Sequence, residues 1–209
     1  MNSMKVTIVD YGMGNIWSVK NALEFVGANV SICSDPDVIS QSDCLILPGV
    51  GAFGPAMKNI RTKNLDQALE HAVLNRGVGI LGICLGMQLL ANSSEESADI
   101  SGLGWIPGKV EKLNDEVRLP HIGFNATYPK EQKSPIYSNI KSGADFYFVH
   151  TYHFHSDTEE NVLSTTEYGQ EFVSSVQKNN IVGVQFHPEK SQSNGLQLLS
   201  NFLKFSKTC

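Results

Sequence analysis

The residues best suited to chemistry in this chain surround Cys84. Glycines stand two positions before it and two after it, at Gly82 and Gly86, between an apolar run typical of a strand and an apolar pattern typical of a helix. This is the arrangement of a nucleophile elbow, in which a strand turns sharply into a helix with the nucleophile at the apex, and small flanking residues let the turn close. The alternative is a buried structural cysteine, because free cysteine is among the most buried residue types.

A nucleophilic cysteine needs a base and an orienting group, and His187 and Glu189 can supply both. Pro188 disfavours the helical conformation for His187, so we expect extended chain, in which positions two apart point the same way. The carboxylate can then hold the imidazole in one tautomer. An exposed histidine beside a solvated glutamate is the alternative. The apolar run 181–186 argues against it, because it delivers His187 to the carboxyl end of a strand, where α/β sheets carry their sites.

A glycine-rich loop, Pro48-Gly49-Val50-Gly51, follows another apolar run at 44–47. Its glycines leave the backbone free to present N–H groups, as in a loop that supplies half of an oxyanion hole. The other half is expected from the backbone N–H of Leu85, the residue after the nucleophile. An ordinary tight turn is the alternative, because Pro-Gly is common in turns.

Strands that alternate with helices over the first 90 residues predict βαβ units and a parallel sheet. The predicted strands are 5–10, 29–33, 44–47 and 78–83, and the predicted helices are 16–26, 65–74 and 85–91. Later strands at 108–113, 145–152, 162–167, 172–177 and 181–186 predict an antiparallel extension, closed by a helix at 195–205. The polar run 92–101 is expected to be a surface loop. We expect one α/β domain over residues 1–209.

Composition excludes several classes of function. The net charge is −5 and no basic run is present, which argues against binding to nucleic acid or to a membrane surface. The apolar stretches are too short to span a bilayer, and the first residues lack a secretory pattern. The cysteines have no paired framework and no CxxC spacing; they are Cys33, Cys44, Cys84 and Cys209. We therefore expect a reducing, cytoplasmic location and no structural zinc.

Neither a metal nor a dinucleotide cofactor is expected. His153 and His155 form the most ligand-like pair, since a strand would place both on one face, but no acidic or thiol partner stands at a typical spacing. The loop Gly12-Met13-Gly14-Asn15 matches part of a dinucleotide fingerprint without its third glycine. The acid expected ~20 residues on would be Asp35, which is more typical of a turn.

Three segments together resemble the class I (triad) glutamine amidotransferases. They are Pro48-Gly49-Val50-Gly51, Gly82-Ile83-Cys84-Leu85-Gly86-Met87-Gln88 and Gln185-Phe186-His187-Pro188-Glu189, and their order and spacing fit across nearly the whole chain. Within that family the chain is most similar to the glutaminase subunits of imidazole glycerol phosphate synthase, on the segments 10–15, 120–125 and 147–152. The resemblance implies a flavodoxin-like three-layer sandwich, with a mainly parallel central sheet and antiparallel additions in the C-terminal half.

The resemblance also implies an activity, the hydrolysis of L-glutamine to glutamate and ammonia. Cys84 would attack the carboxamide, His187 would move the protons and Glu189 would orient His187. The N–H groups of Val50 and Leu85 would form the oxyanion hole. The implied substrate-binding positions are Gly49, Gly51, Gln88, Glu96, Thr151 and Tyr152. Among these, Glu96 suits the substrate ammonium group.

A partner subunit is implied, because this chain has no second domain to consume the ammonia. In the family the partner is a (β/α)₈-barrel cyclase of histidine biosynthesis, which forms a heterodimer and receives ammonia through a tunnel. The positions that match the interface side are Asn15, His121, Phe124 and Lys190. The family pattern has tryptophan where Phe124 stands. Phenylalanine keeps the aromatic bulk but lacks the indole N–H donor, a departure that bears on the partner and not on the glutaminase chemistry.

Three alternatives stay open from the sequence. A paralogous glutaminase could supply ammonia to an amino-sugar pathway for surface polysaccharides. A stand-alone cysteine hydrolase acting on peptides or γ-glutamyl compounds would share the elbow and the triad. An α/β interaction subunit with a vestigial triad would be non-enzymatic, and the intact Cys84, His187 and Glu189 argue against it.

Overall fold

A computed structural model describes residues 4–114, 116–130 and 134–209 of the chain. These residues form a layered α/β structure around one sheet. The strands are β1 (Lys5–Val9), β2 (Asn29–Cys33), β3 (Cys44–Gly49), β4 (Gly79–Cys84), β5 (Ser93–Ser94), β6 (Gly108–Lys112), β7 (His121–Pro129), β8 (Ala144–His150), β9 (Tyr152–Ser156), β10 (Val162–Glu167), β11 (Glu171–Lys178) and β12 (Ile181–Val184). The helices are α1 (Ile16–Phe25), α2 (Pro36–Ser40), α3 (Phe53–Thr62), α4 (Leu65–Glu70), α5 (Leu85–Gln88) and α6 (Gln192–Ser206).

The main path through the sheet runs β2-β1-β3-β4-β12-β11-β10-β7-β8. The first five of these strands pair in parallel. The remaining four continue the sheet in antiparallel pairing, and β9 joins β6 to β11 at the side. This confirms the predicted fold class, a mainly parallel sheet in the first half with antiparallel additions in the second.

Helices cover both faces of the sheet, each with its own apolar core. On one face α1 and α6 bury side chains such as Leu23 and Phe202 against the strands. On the other face α3 and α4 contribute Met57 and Leu69, among others. Each fully buried side chain of this size stabilises the fold by about 1.5–3 kcal/mol, so the two cores hold the strand ends in fixed relative positions.

The carboxyl ends of three neighbouring parallel strands meet at one edge of the sheet. β4 ends at Cys84 and β3 ends at Gly49, and these two residues are register partners. β12 lies on the other side of β4 with Val184 opposite Ile83, so the chain reaches His187 three residues later at the same edge. The glycine-rich loop, the cysteine and the histidine are therefore neighbours, although they are far apart in sequence.

Several element predictions were wrong in their bounds. The predicted helix 85–91 ends at Gln88 in α5, and the predicted strand 145–152 is two strands that meet at a bend at Thr151. The predicted loop 92–101 contains the short strand β5 and a 3₁₀ turn at Glu95–Ser97. The sequence analysis also missed α3 and β7. No helix among the described residues is long and apolar enough to cross a membrane.

Candidate active site

Cys84 occupies a strained apex between β4 and α5. Its backbone has φ 53° and ψ −109°, a left-handed φ that non-glycine residues rarely adopt. A Cβ on Gly82 would lie 2.6 Å from the carbonyl oxygen of Gly86, and one on Gly86 would lie 1.8 Å from the carbonyl oxygen of Leu47. Both glycines are thus required by the close approach of backbone to backbone, and the elbow predicted from the sequence is present.

The side chains of His187 and Glu189 form a buried pair. Nδ1 of His187 donates to Oε1 of Glu189 at 2.8 Å, and the two side chains are only 2% and 1% exposed. The loop that carries them is tied down at two points: the backbone N–H of His187 donates to the carbonyl of Tyr147, and the Ser191 hydroxyl donates to the carbonyl of His187. Since Nδ1 is committed to the carboxylate, Nε2 is the nitrogen left for chemistry.

Nε2 of His187 is buried and makes no aligned hydrogen bond within the described residues. Burial alone lowers the pKa of His187, but the favourable interactions with Cys84 and Glu189 together outweigh it, and the pKa of His187 is raised to about 10. The site therefore favours an imidazolium at neutral pH. Such a group can give a proton to a leaving amine and then accept one from water.

Cys84 is 6% exposed, and besides His187 its sulfur has two polar neighbours. Nε2 of Gln185 donates to Sγ at 3.7 Å, and the thiol itself is oriented toward the carbonyl of Val149 at 3.9 Å. Gln185 is fully buried and was not singled out as a site residue from the sequence. A signal was available, because Gln185 precedes His187 by two positions in extended chain and so tends to share its direction.

A cavity of about 320 Å³ opens beside the cysteine. It is lined by Val50, Gly51, Cys84, Leu85, Gln88, Glu96, Pro120, Val149, His150, Thr151 and Tyr152. Every predicted oxyanion and substrate position lines it except Gly49, which is buried as the register partner of Cys84. The cavity combines apolar and polar lining groups and has a size typical of metabolite sites.

Two polar side chains of the cavity wall are fixed by backbone groups. Glu96 accepts a hydrogen bond from the backbone N–H of Phe53, the first residue of α3, at 2.7 Å. Gln88 donates from Nε2 to the carbonyl of Tyr152 at 2.9 Å and to Oε1 of Gln185 at 3.1 Å. The wall thus presents a carboxylate and an amide oxygen in set positions.

Of the four residues predicted on the interface side, Phe124 and Lys190 lie together on the surface, against the ring of Tyr147. Phe124 is 50% exposed and packs edge-on against Tyr147, and Nζ of Lys190 lies 5.5 Å above the same ring. Asn15 is half-buried and accepts a hydrogen bond from Ser18.

The prediction that His121 lies on the interface side is wrong, because its side chain is buried and the residue is only 2% exposed. It is stacked between the rings of Tyr168 and Phe148, with centroids 4.0 and 5.0 Å away. The reason is the alternation of β7: residues 121 and 124 are three apart and so face opposite sides of the sheet.

The histidine pair considered for a metal lies on β9, and neither ring lines the cavity. His153 is buried and His155 is exposed, with Nδ1 of His155 3.6 Å from a carboxylate oxygen of Glu111. Within the described ranges, no group of three histidine, cysteine or acidic side chains could hold a metal ion.

The fold and the site together define an α/β protein with a Cys-His-Glu arrangement at the carboxyl edge of a parallel sheet. A family model, glutamine amidotransferase class-I, matches residues 7–205, and the chain belongs to this family. It is 48% identical over 207 residues to imidazole glycerol phosphate synthase subunit HisH 2 of Vibrio vulnificus (strain YJ016), covering 98% of this chain and 96% of that protein.

A second relative agrees with this assignment, and a solved structure agrees with the fold. The chain is 47% identical over 198 residues to imidazole glycerol phosphate synthase subunit HisH of Moorella thermoacetica (strain ATCC 39073 / JCM 9320), covering 94% of this chain and 93% of that one. A crystal structure described as a glutamine amidotransferase superposes with a TM-score of 0.77 at 19% identity, covering 97% of this chain and 98% of the other, and so supports the fold.

Proposed function

We propose that the chain is the glutaminase subunit of an imidazole glycerol phosphate synthase. It hydrolyses L-glutamine to glutamate and ammonia in the cytoplasm and passes the ammonia to a cyclase partner in histidine biosynthesis. The observation that carries the proposal is the strained Cys84 apex beside the buried His187–Glu189 pair, at the wall of a metabolite-sized cavity. The near-full-length similarity to subunits of that synthase supports the choice of pathway.

In the first half of the reaction the Cys84 sulfur, as the thiolate beside the His187 imidazolium, attacks the carbon of the substrate carboxamide. The C–N bond breaks, His187 donates its proton to the departing nitrogen, and a glutamyl thioester and ammonia are formed. In the second half His187 takes a proton from water, and the water oxygen attacks the thioester. The C–S bond breaks, the new carboxyl group of glutamate gives its proton to solvent, and the Cys84 thiolate and the His187 imidazolium are restored. Glu189 holds Nδ1 of His187 throughout, so that Nε2 is always the nitrogen that moves the proton.

The oxyanion that forms in both halves is assigned to the backbone N–H groups of Val50 and Leu85. Both residues line the cavity together with Cys84. A donor of this kind contributes about 3 kcal/mol to the transition state. Gly49 lets the glycine-rich loop pack closely against Tyr11 and Leu85. A Cβ at this position would be 2.3 Å from the Tyr11 hydroxyl and 2.8 Å from Cβ of Leu85.

Glutamine is assigned to the cavity by charge and hydrogen bonding. The carboxylate of Glu96 faces the substrate ammonium, and Oε1 of Gln88 is the acceptor left for the carboxamide, since Nε2 of Gln88 already makes two bonds. Backbone and side-chain groups of Gly51, Thr151 and Tyr152 complete the wall.

The cyclase is assigned to the outer face of β7 and β8. One face of β7 is 50–60% exposed at Ile122, Phe124 and Tyr128. Tyr147 of β8 is the register partner of Phe124. Exposed aromatic and aliphatic groups on one sheet face are typical of a protein interface. Asn15 and Lys190 are assigned to its rim.

Covalent labelling tests the nucleophile. We expect one molecule of a glutamine-analogue electrophile to attach to each protein molecule, and peptide mapping should locate it at Cys84. Cys84→Ala should abolish both the labelling and the release of glutamate in the presence of the cyclase. Cys33→Ala, which changes a half-buried cysteine outside the site, is the matched control and should leave both unchanged. Glutamate release that persists in Cys84→Ala would contradict the proposal.

A further inference from the structure

Two buried imidazoles that this mechanism does not use stand side by side at the cavity. His121 of β7 and His150 of β8 are register partners, and Nδ1 of His121 lies 3.0 Å from Nε2 of His150. His150 lines the cavity that Cys84 lines, whereas His121 does not. A hydrogen bond between two imidazoles requires that one nitrogen carries the hydrogen and the other does not.

The direction of the bond follows from the neighbouring groups. Nδ1 of His150 lies 2.9 Å from the carbonyl of Tyr152, which can only accept, so Nδ1 carries the hydrogen and Nε2 of a neutral His150 accepts. His121 must then donate from Nδ1 and accept at Nε2. The donor to that nitrogen is Nδ2 of Asn125 at 3.4 Å, whose orientation is fixed by its other bond, to the carbonyl of Glu167 at 2.8 Å.

The environment of both rings keeps them uncharged. Burial lowers the pKa of His121 to about 4, and burial, together with the charges of His121, His153 and His187, lowers that of His150 to about 3 against the opposing bond to the Tyr152 carbonyl. The other groups packed on the pair are the rings of Phe148, Tyr168 and Phe172. The described contacts bring no carboxylate to either ring.

The chain of bonds continues past Tyr152 into the site. The same carbonyl accepts from Nε2 of Gln88, Nε2 of Gln88 donates also to Oε1 of Gln185, and Nε2 of Gln185 donates to the sulfur of Cys84. Because the Tyr152 carbonyl only accepts, it fixes which end of the Gln88 amide is nitrogen. The oxygen of Gln88, a residue of the cavity wall, is consequently left outside this chain of bonds.

We propose that His121 and His150 are positioning residues for glutamine binding, acting as one oriented pair that fixes the Tyr152 carbonyl and, through it, the amide of Gln88. The inference rests on the proposed glutaminase function and adds residues to its substrate site. His121, which the sequence placed at an interface, has this inward role instead.

Substitution of His121 separates the hydrogen bonds from the packing. His121→Phe keeps a ring in the aromatic stack and removes both bonds, whereas His121→Gln keeps one donor and one acceptor. With the cyclase present, we expect His121→Phe to raise KM for glutamine about 3- to 10-fold with kcat within about two-fold, and His121→Gln to restore most of the loss. His153→Gln, which changes a buried histidine outside the chain of bonds, is the matched control and should leave KM unchanged.

NMR of the ring nitrogens in the wild-type full-length chain is a second test. It does not depend on whether a variant folds. At pH 6, ¹⁵N resonances should show both rings neutral, with hydrogen on Nδ1 and none on Nε2. Hydrogen on Nε2 of His150, or a charged ring at that pH, would overturn the inference. Unchanged KM in His121→Phe with an active wild type would also overturn it, whereas a wild type that releases no glutamate would overturn the proposed function itself.

Discussion

Single residues of the site are oriented by groups that can only accept hydrogen bonds. The carboxylate of Glu189 commits Nδ1 of His187, and the carbonyl of Tyr152 commits the amide of Gln88. Each acceptor leaves its donor one possible orientation. The nitrogen of His187 assigned to proton transfer and the oxygen of Gln88 assigned to the carboxamide are therefore fixed before substrate arrives. This is preorganisation, and it makes the contribution of each side chain testable by substitutions that change one group.

Glu96→Gln tests the ammonium site. The amide oxygen can still accept from the backbone N–H of Phe53, so the wall should keep its shape while the charge is lost. A charge-assisted hydrogen bond is worth about 1.5–3 kcal/mol, so we expect KM for glutamine to rise about 10- to 100-fold. Glu95→Gln, one residue away on the exposed side, is the control and should have no effect. Equal KM values in the two variants would remove Glu96 from the substrate site.

Tyr11→Phe tests a buried hydroxyl that has no hydrogen-bond partner in the described structure. An unsatisfied buried hydroxyl is costly, so its removal should raise the free energy of unfolding by about 1 kcal/mol. Tyr137→Phe should do the opposite by a similar amount, because that hydroxyl is bonded to Ser164 and Ser175 at 2.8 Å each. Urea unfolding measures both, and a destabilised Tyr11→Phe would show that the hydroxyl has a partner in solution.

At the scale of elements, the strand–helix junction at Cys84 depends on contact between backbones. Gly86→Ala would place Cβ 1.8 Å from the carbonyl of Leu47 in β3, so we expect a loss of at least about 3 kcal/mol in the free energy of unfolding. Gly14→Ala is the matched control: its nearest neighbours would be 3.5 Å away, and the change should stay within about 1 kcal/mol. A thermal melt of Gly86→Ala close to that of wild type would contradict the packing of the elbow.

The sequence could predict elements whose signal is local. β2 was predicted with its observed bounds, and the spacing around Cys84 and His187 indicated a site at strand ends. α3 was missed because Phe53-Gly54-Pro55 is typical of a loop, although glycine and proline are tolerated in a first turn.

Long-range contacts explain what the sequence could not predict. α5 ends early because the carbonyls of Leu89 and Leu90 accept from the backbone N–H groups of Leu103 and Trp105 instead of continuing a helix. The same holds for the site: Gln185 contacts a sulfur 101 positions away, and His150 is oriented by a main-chain carbonyl, which no residue type encodes.

For the whole molecule, four histidines with perturbed pKa values, three lowered and one raised, give the free energy of unfolding a maximum near pH 6.5. Below pH 6.5 the histidines of the unfolded chain become protonated, whereas folded His121 stays neutral down to about pH 4 and folded His150 down to about pH 3. The free energy of unfolding therefore falls as pH falls. Above pH 6.5 folded His187 keeps a proton up to about pH 10 that the unfolded chain has released, so the free energy of unfolding falls as pH rises.

Urea titrations at intervals between pH 4 and pH 10 measure this dependence. Glu189→Gln should flatten the alkaline limb, since it removes one of the groups that raise the pKa of His187, and should leave the acid limb in place. A stability that rises steadily from pH 6.5 to pH 10 in the wild type would contradict the assignment of a charged, buried His187.

In the proposed function the two halves of the sheet have different tasks. The parallel half carries the glutaminase site at Cys84, and the antiparallel half carries the exposed face of β7 and β8 that is assigned to the cyclase. The most direct test of the account follows the nitrogen. The chain and its cyclase are given glutamine labelled with ¹⁵N in the amide, in the presence of excess unlabelled ammonium. We predict that each glutamate released is matched by one ¹⁵N in the imidazole product. Product that carries only unlabelled nitrogen would contradict the account.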